Sequence, residues 1–138
     1  MEKHIGVVTF PKGLPGFEQL KEYTVQQHNE LFGNLISVTD ESVAFIIVNP
    51  FDFYPDYEFD VPDGLLEEIE ITSRDEVNVR CIVTWNSDRN KVTLNLLAPI
   101  IINSVKLFGK QIVLQNVPYT TRQLLWVNNT TDSEGGED

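Results

Sequence analysis

Three carboxylates, Asp56, Glu58 and Asp60, stand two residues apart in the run DYEFDV beginning at Asp56. Alternate side chains of an extended chain share a face, so neighbouring acids there lie roughly 7 Å apart. That spacing is one requirement for a two-carboxylate glycosidase, and clustered acid oxygens are what calcium needs. Acids alternating with aromatic residues are equally the wet face of a half-exposed strand, and the sequence lacks the other parts of a catalytic set. His4 and His28 have neither H-x-x-x-H nor H-E-x-x-H spacing, so a metal site has no ligand pattern. Cys81 falls between Val79 and Val83 on the apolar phase of a strand-like run, the place of a packed thiol rather than a nucleophile. No glycine-rich phosphate loop and no G-x-S-x-G elbow occur. The residues point to a binding protein with no enzymatic activity, no metal and no cofactor.

The elements that must position these groups read as strands. The most apolar stretch, 91–114, carries alternating Val92, Leu94 and Leu96, then Ile100, Ile101 and Ile102. Three consecutive β-branched residues favour a strand buried on both faces. Pro99 belongs at the start of that strand or at a bulge before it. Phe108-Gly109 offers a hairpin turn, with 111–114 as the return strand, which makes 91–114 a three-stranded meander. Further strands are expected at 5–10, 23–28, 31–38, 43–48, 57–61 and 77–85, with a last one within 119–127. Two prolines and two glycines at 11–16 force a compact turn, onto which Phe17 and Leu20 anchor the following chain. Pro62-Asp63 opens the one helix, about two turns long. Leu65, Leu66 and Ile69 form its apolar stripe, and Glu67, Glu68 and Glu70 lie off that stripe, facing solvent. Asn95 and Asn103 are polar residues inside the most apolar segment, where a buried amide must be hydrogen-bonded. Each is read as tying a bulge or loop backbone in place.

At 138 residues the chain fits one domain, able to bury about 70% of the surface its unfolded form exposes. A single cysteine permits no internal disulfide and suits a reducing, cytoplasmic setting. No apolar run reaches the ~20 residues of a membrane helix, and no secretory signal is expected. The domain is placed at residues 1–128, and 129–138, which contain nothing apolar, as a disordered acidic tail. The formal net charge of −11 is uneven: residues 51–76 hold ten acids and one base, Arg74. That surface disfavours direct binding of nucleic acid and admits a basic protein partner. A charge run is more often a plain solvated face; read instead as an interface, it makes Asp56, Glu58, Asp60, Glu67, Glu68 and Glu70 the candidate protein-binding residues.

Six motifs, FPKGLPGF at 10–17, AFIIVNP at 44–50, DYE at 56–58, NLLAPIIIN at 95–103, GKQ at 109–111 and YTTR at 119–122, occur in the order found in the flagellar assembly factor FliW family. The chain resembles that family nearly end to end, except in the acidic tail. The resemblance implies a mostly β fold, a small antiparallel β-barrel-like domain with one short helix. It also implies two protein partners, the RNA-binding translational regulator CsrA and flagellin, with no membrane and no direct nucleic-acid contact. The implied mechanism is partner switching: flagellin in the cytoplasm occupies the factor and leaves CsrA free to repress flagellin translation, and export of flagellin returns the factor to CsrA. A barrel binding a small ligand, without a regulatory partner, is the alternative.

Overall fold

Alternation of buried and half-buried residues runs through β2 (Glu22–Gln27) and β3 (Phe32–Ser37), which place Tyr23, Val25, Leu35 and Ser37 on one face. Period-2 burial of this kind fixes register, because a one-residue slip would expose the whole apolar set. The computed structural model describes residues 3–126. In it β1 (Lys3–Thr9), β2, β3 and β4 (Ala44–Val48) form an antiparallel succession. β4 pairs with β5 (Val77–Thr84), which pairs with β7 (Ile100–Asn103), and β7 pairs with β8 (Phe108–Gln111). The parallel contact of Thr9 with Phe108 joins β8 to β1 and closes a seven-stranded barrel. Closure covers most of the edge that an open sheet would present, although β1 and β8 meet at that one pair.

The barrel is filled by Val8, Phe10, Leu14, Tyr23, Val25, Leu35, Ile47, Ile100 and Ile102, all buried. A second buried group, which includes Val48, Tyr57, Cys81, Val83, Leu94, Leu96 and Leu125, uses the opposite phase of β4 and β5. Ile101 points away from its neighbours and lies under Leu65 of α1 (Asp63–Glu68) and the helix's C-cap Ile69. The triple isoleucine is thus buried on both faces, as its composition requires. Each such side chain contributes about 1.5–3 kcal/mol on burial, and this packing holds a helix of six residues that is too short to form alone.

Several boundaries differ from the sequence reading for identifiable reasons. Phe108-Gly109 is no turn but the start of β8, and the reversal lies at residues 104–107, ending on Leu107 at φ 60°. Gly109 serves close approach instead: a Cβ there would sit 2.7 Å from Cε2 of the Phe10 ring. The segment 91–114 is not a meander, because β6 (Thr93–Leu94) and β7 both pair with β5, at Val83–Thr84 and Val77–Arg80 respectively. They form one return path interrupted by a loop in which Asn95 Oδ1 accepts the Ala98 N–H at 2.9 Å. Pro99, unable to donate, immediately precedes β7. The final strand shrinks to β9 (Gln123–Leu124), paired with β6. Pro62 is the N-cap of α1 rather than part of its first turn. The expected strand at 57–61 keeps alternating burial but has no strand partner among the described residues. The turn at 11–16 forms with Gly13 and Gly16 at positive φ, and Phe17 packs edge-on against Phe45 with ring centroids 5.6 Å apart. The acidic tail expected at 129–138 lies outside the described residues. Among those described, no helix is long and apolar enough to cross a membrane.

Candidate protein-binding face

Tyr57 determines where the carboxylates go. Its ring is buried against Tyr119, Phe59 and Phe51, with centroids 4.7, 5.2 and 5.8 Å away, and its hydroxyl donates to the Leu96 carbonyl at 2.6 Å. Edge-to-face aromatic pairs add about 0.5–1.5 kcal/mol beyond area burial. With Tyr57 pegged inward, alternation turns Asp56, Glu58 and Asp60 outward, and all three are exposed. The Glu58 N–H donates to the Tyr119 hydroxyl at 3.2 Å.

The helix acids divide into two kinds. Glu67 is exposed, whereas Glu68 is half-buried between Lys110, 2.8 Å away, and Lys12, 3.5 Å away. The hydrogen bond from Lys110 holds the Glu68 carboxyl below the usual range. Glu70 pairs with Lys106 at 3.1 Å. Glu68 and Glu70 therefore do not simply face solvent: three lysines offset part of the negative field at that end. Among the described residues no ion pair involves Asp56, Glu58, Asp60 or Glu67. The undiminished charge lies on the 56–60 segment and the exposed side of α1.

Asn103 joins this face to the barrel. Its side chain, fully buried, donates to the Ile69 and Glu70 carbonyls at 2.9 and 3.1 Å and accepts the Val105 and Lys106 N–H groups, both at 3.0 Å. Glu70 occupies a left-handed conformation, φ 59°. The Ile71 N–H reaches the Leu66 carbonyl and the Glu70 N–H the Glu67 carbonyl, a Schellman ending with glutamate where glycine is usual. Both asparagines singled out in the sequence tie loop backbone.

Cys81 is buried, and burial pushes its thiol up to about 12. The neutral thiol is a packing group. Among the described residues no group of three His, Cys, Asp or Glu side chains is placed to hold a metal ion. Sequence reasoning missed a cleft of about 560 Å³ between residues 58–62 and 112–117, lined by Glu58, Phe59, Asp60, Val113 and Val117 among others. It also missed Arg80, which shares the barrel-facing phase with Ile82 and opens on a second cavity of about 340 Å³ beside Asp52. Arg80 was visible as the one charge inside VNVRCIVT. The cleft had no local signal, because its walls are at least fifty residues apart in sequence.

The fold is that of a closed, mostly β barrel with a packed interior, one short helix and an acidic outer face. The family described as FliW protein matches residues 2–125. The flagellar assembly factor FliW of Caldicellulosiruptor bescii is 41% identical over 93% of this chain and 85% of its own. That of Bacillus subtilis is 40% identical over 84% of this chain and 82% of its own. A crystal structure of the flagellar assembly factor FliW superposes with a TM-score of 0.85, at 36% identity, covering 88% of this chain and 86% of that one. The chain belongs to the FliW family of flagellar assembly factors.

Proposed function

We propose that this chain is a cytoplasmic binder that antagonises CsrA and alternatively binds flagellin, coupling flagellin export to flagellin translation. The observation that carries the reading is family membership across nearly the whole chain. Two partners that exclude each other lower each other's apparent affinity, which is all the thermodynamics partner switching needs. The exposed carboxylates of Asp56, Glu58, Asp60 and Glu67 suit a basic partner, and once docked they would repel the phosphates of incoming RNA. The small-ligand alternative is disfavoured because nine buried side chains occupy the barrel interior.

The test is association of the purified chain with CsrA and with flagellin from the same organism, measured across salt concentrations. Rim charges act mainly on encounter rate, screened over about 8 Å at physiological salt. The variant Asp56→Asn, Glu58→Gln, Asp60→Asn, Glu67→Gln is expected to slow association with CsrA and flatten its salt dependence. An unaltered on-rate in the folded variant removes this face from the mechanism, and failure of the wild-type chain to bind either protein overturns the reading.

A further inference from the structure

The cleft between residues 58–62 and 112–117 is walled by backbone that the fold leaves unused. Beyond β8 the chain continues as strand-like backbone: the Ile112 N–H donates to the Pro99 carbonyl at 3.0 Å and the Leu114 N–H to the Leu97 carbonyl at 2.9 Å. In an antiparallel ladder, alternate residues direct their N–H and C=O groups to opposite sides. Val113, between these two, therefore aims its backbone away from 97–99, on the side that β1 covers only at Phe108. The Val113 N–H and C=O have no hydrogen-bond partner among the described residues, and the residue is 59% exposed. On the facing wall, burial alternates from Tyr57 to Val61 as in a strand, yet the backbone groups of Phe59, Asp60 and Val61 also make no hydrogen bond there. The neighbouring Glu58 N–H is already used, donating to the Tyr119 hydroxyl. Two strand-like segments without internal hydrogen bonds at Val113 and at 59–61 thus border one cleft, and strand addition uses backbone of this kind.

We propose that this cleft accepts an extended segment of a protein partner, inserted as an added strand, with basic side chains at alternate positions. At about 3.3 Å rise, 4.8 Å strand spacing and 10 Å layer thickness, a strand residue fills roughly 160 Å³. The cleft, about 560 Å³, thus holds the backbone and side chains of three to four residues. Charge selects among peptides: Glu58 and Asp60 line one wall, exposed and outside any ion pair, and no cationic side chain lines the cleft. Phe59, Ile112, Leu114 and Val117 supply the apolar lining. Lysine or arginine at every second position would meet the acids, and the intervening apolar residues would meet this lining. The inference goes beyond the proposed function, because it names the form and chemistry of the docked segment and not its owner.

The probe is the synthetic peptide acetyl-(Lys-Val)3-amide, titrated to the millimolar range into the isotope-labelled full chain and followed by amide NMR. The expected result is movement of the resonances of residues 58–62 and 112–117 with slowed hydrogen exchange at Val113. The lysine peptide N-methylated at its valines should bind at least about fivefold more weakly, the effect of a lost hydrogen bond, and acetyl-(Glu-Val)3-amide should bind more weakly because its carboxylates repel Glu58 and Asp60. Val113→Pro deletes a donor that the fold does not use and should weaken binding similarly. If that variant fails to fold, Glu58→Gln with Asp60→Asn replaces it, with Val38→Ser as a control outside the cleft. Absence of any shift in these segments overturns the proposal, as does equal binding of the N-methylated peptide. Either failure leaves the binding of whole protein partners, and hence the proposed function, untouched.

Discussion

Replacing Asn103 by alanine should be the most damaging single change on the acidic side of the molecule. The amide satisfies two carbonyls, of Ile69 and Glu70, and two N–H groups, of Val105 and Lys106. A net hydrogen bond contributes about 1 kcal/mol, and a buried group left unpaired costs about 1–3 kcal/mol. The Ile69 contact is buried and the other three are partly buried, so water can repair part of the loss. The expected destabilisation is about 3 kcal/mol, a sizeable share of a total of roughly 5–15 kcal/mol. Urea unfolding followed by the fluorescence of Trp85 and Trp126 measures it directly. Asn103→Asp separates hydrogen bonding from volume. The new carboxylate would face two carbonyls, which raises its pKa above the unfolded value of about 3.9. Below that value the protonated acid can donate, so the variant's deficit relative to wild type should shrink as pH falls and widen as pH rises. An alanine variant within about 1 kcal/mol of wild type, or an aspartate variant with no such pH dependence, would refute the assignment of Asn103 as the tie between helix and barrel.

Three further outcomes follow from local chemistry. Glu70→Gly should stabilise the chain by about 1 kcal/mol, since glycine relieves a left-handed residue at the helix end and the exposed pair with Lys106 contributes little; a denaturation midpoint lower than wild type would contradict this. Tyr23 is fully buried in the barrel and its hydroxyl has no partner among the described residues, so Tyr23→Phe should raise the thermal midpoint, with an unpaired polar group costing about 1–3 kcal/mol. Burial holds the Cys81 thiol up at about 12, against about 8.5 unfolded. Below the unfolded value the contribution is fully present. As pH rises towards 12 the unfolded state gives up the proton first, and stability falls by up to about 1.4 kcal/mol per pH unit. Urea midpoints between pH 8 and 10.5 should therefore decline less steeply in Cys81→Ala than in wild type.

Local periodicity made most of the barrel legible. The alternating runs at 23–28, 31–38 and 77–85 became strands because one face of each meets a packed interior. Ile100–Ile102 was readable as doubly buried because β-branched residues in succession have few other uses. What failed was long-range pairing. Nothing near Gly109 announces that the Phe10 ring, from the opposite end of the chain, needs the space of its missing Cβ. Nothing near Val92–Leu97 reveals that β5 separates it from β7 in the sheet. The acidic residues were found by composition, but the lysines that pair with Glu68 and Glu70 arrive from segments 36 to 42 residues away for the two closest bonds. The 57–61 run illustrates the limit most clearly: its alternation is plain in the sequence, and only the lack of a partner strand among the described residues distinguishes it from β-structure.

Mutually exclusive binding of two protein partners is the core of the proposed function, and a competition titration tests it. Labelled CsrA would be held at saturation on the purified chain while flagellin from the same organism is added. The proposed function predicts complete release of CsrA, with an apparent Kd for flagellin that rises in proportion to the CsrA present. A ternary complex retaining both proteins, or CsrA binding that flagellin leaves unchanged, would contradict it.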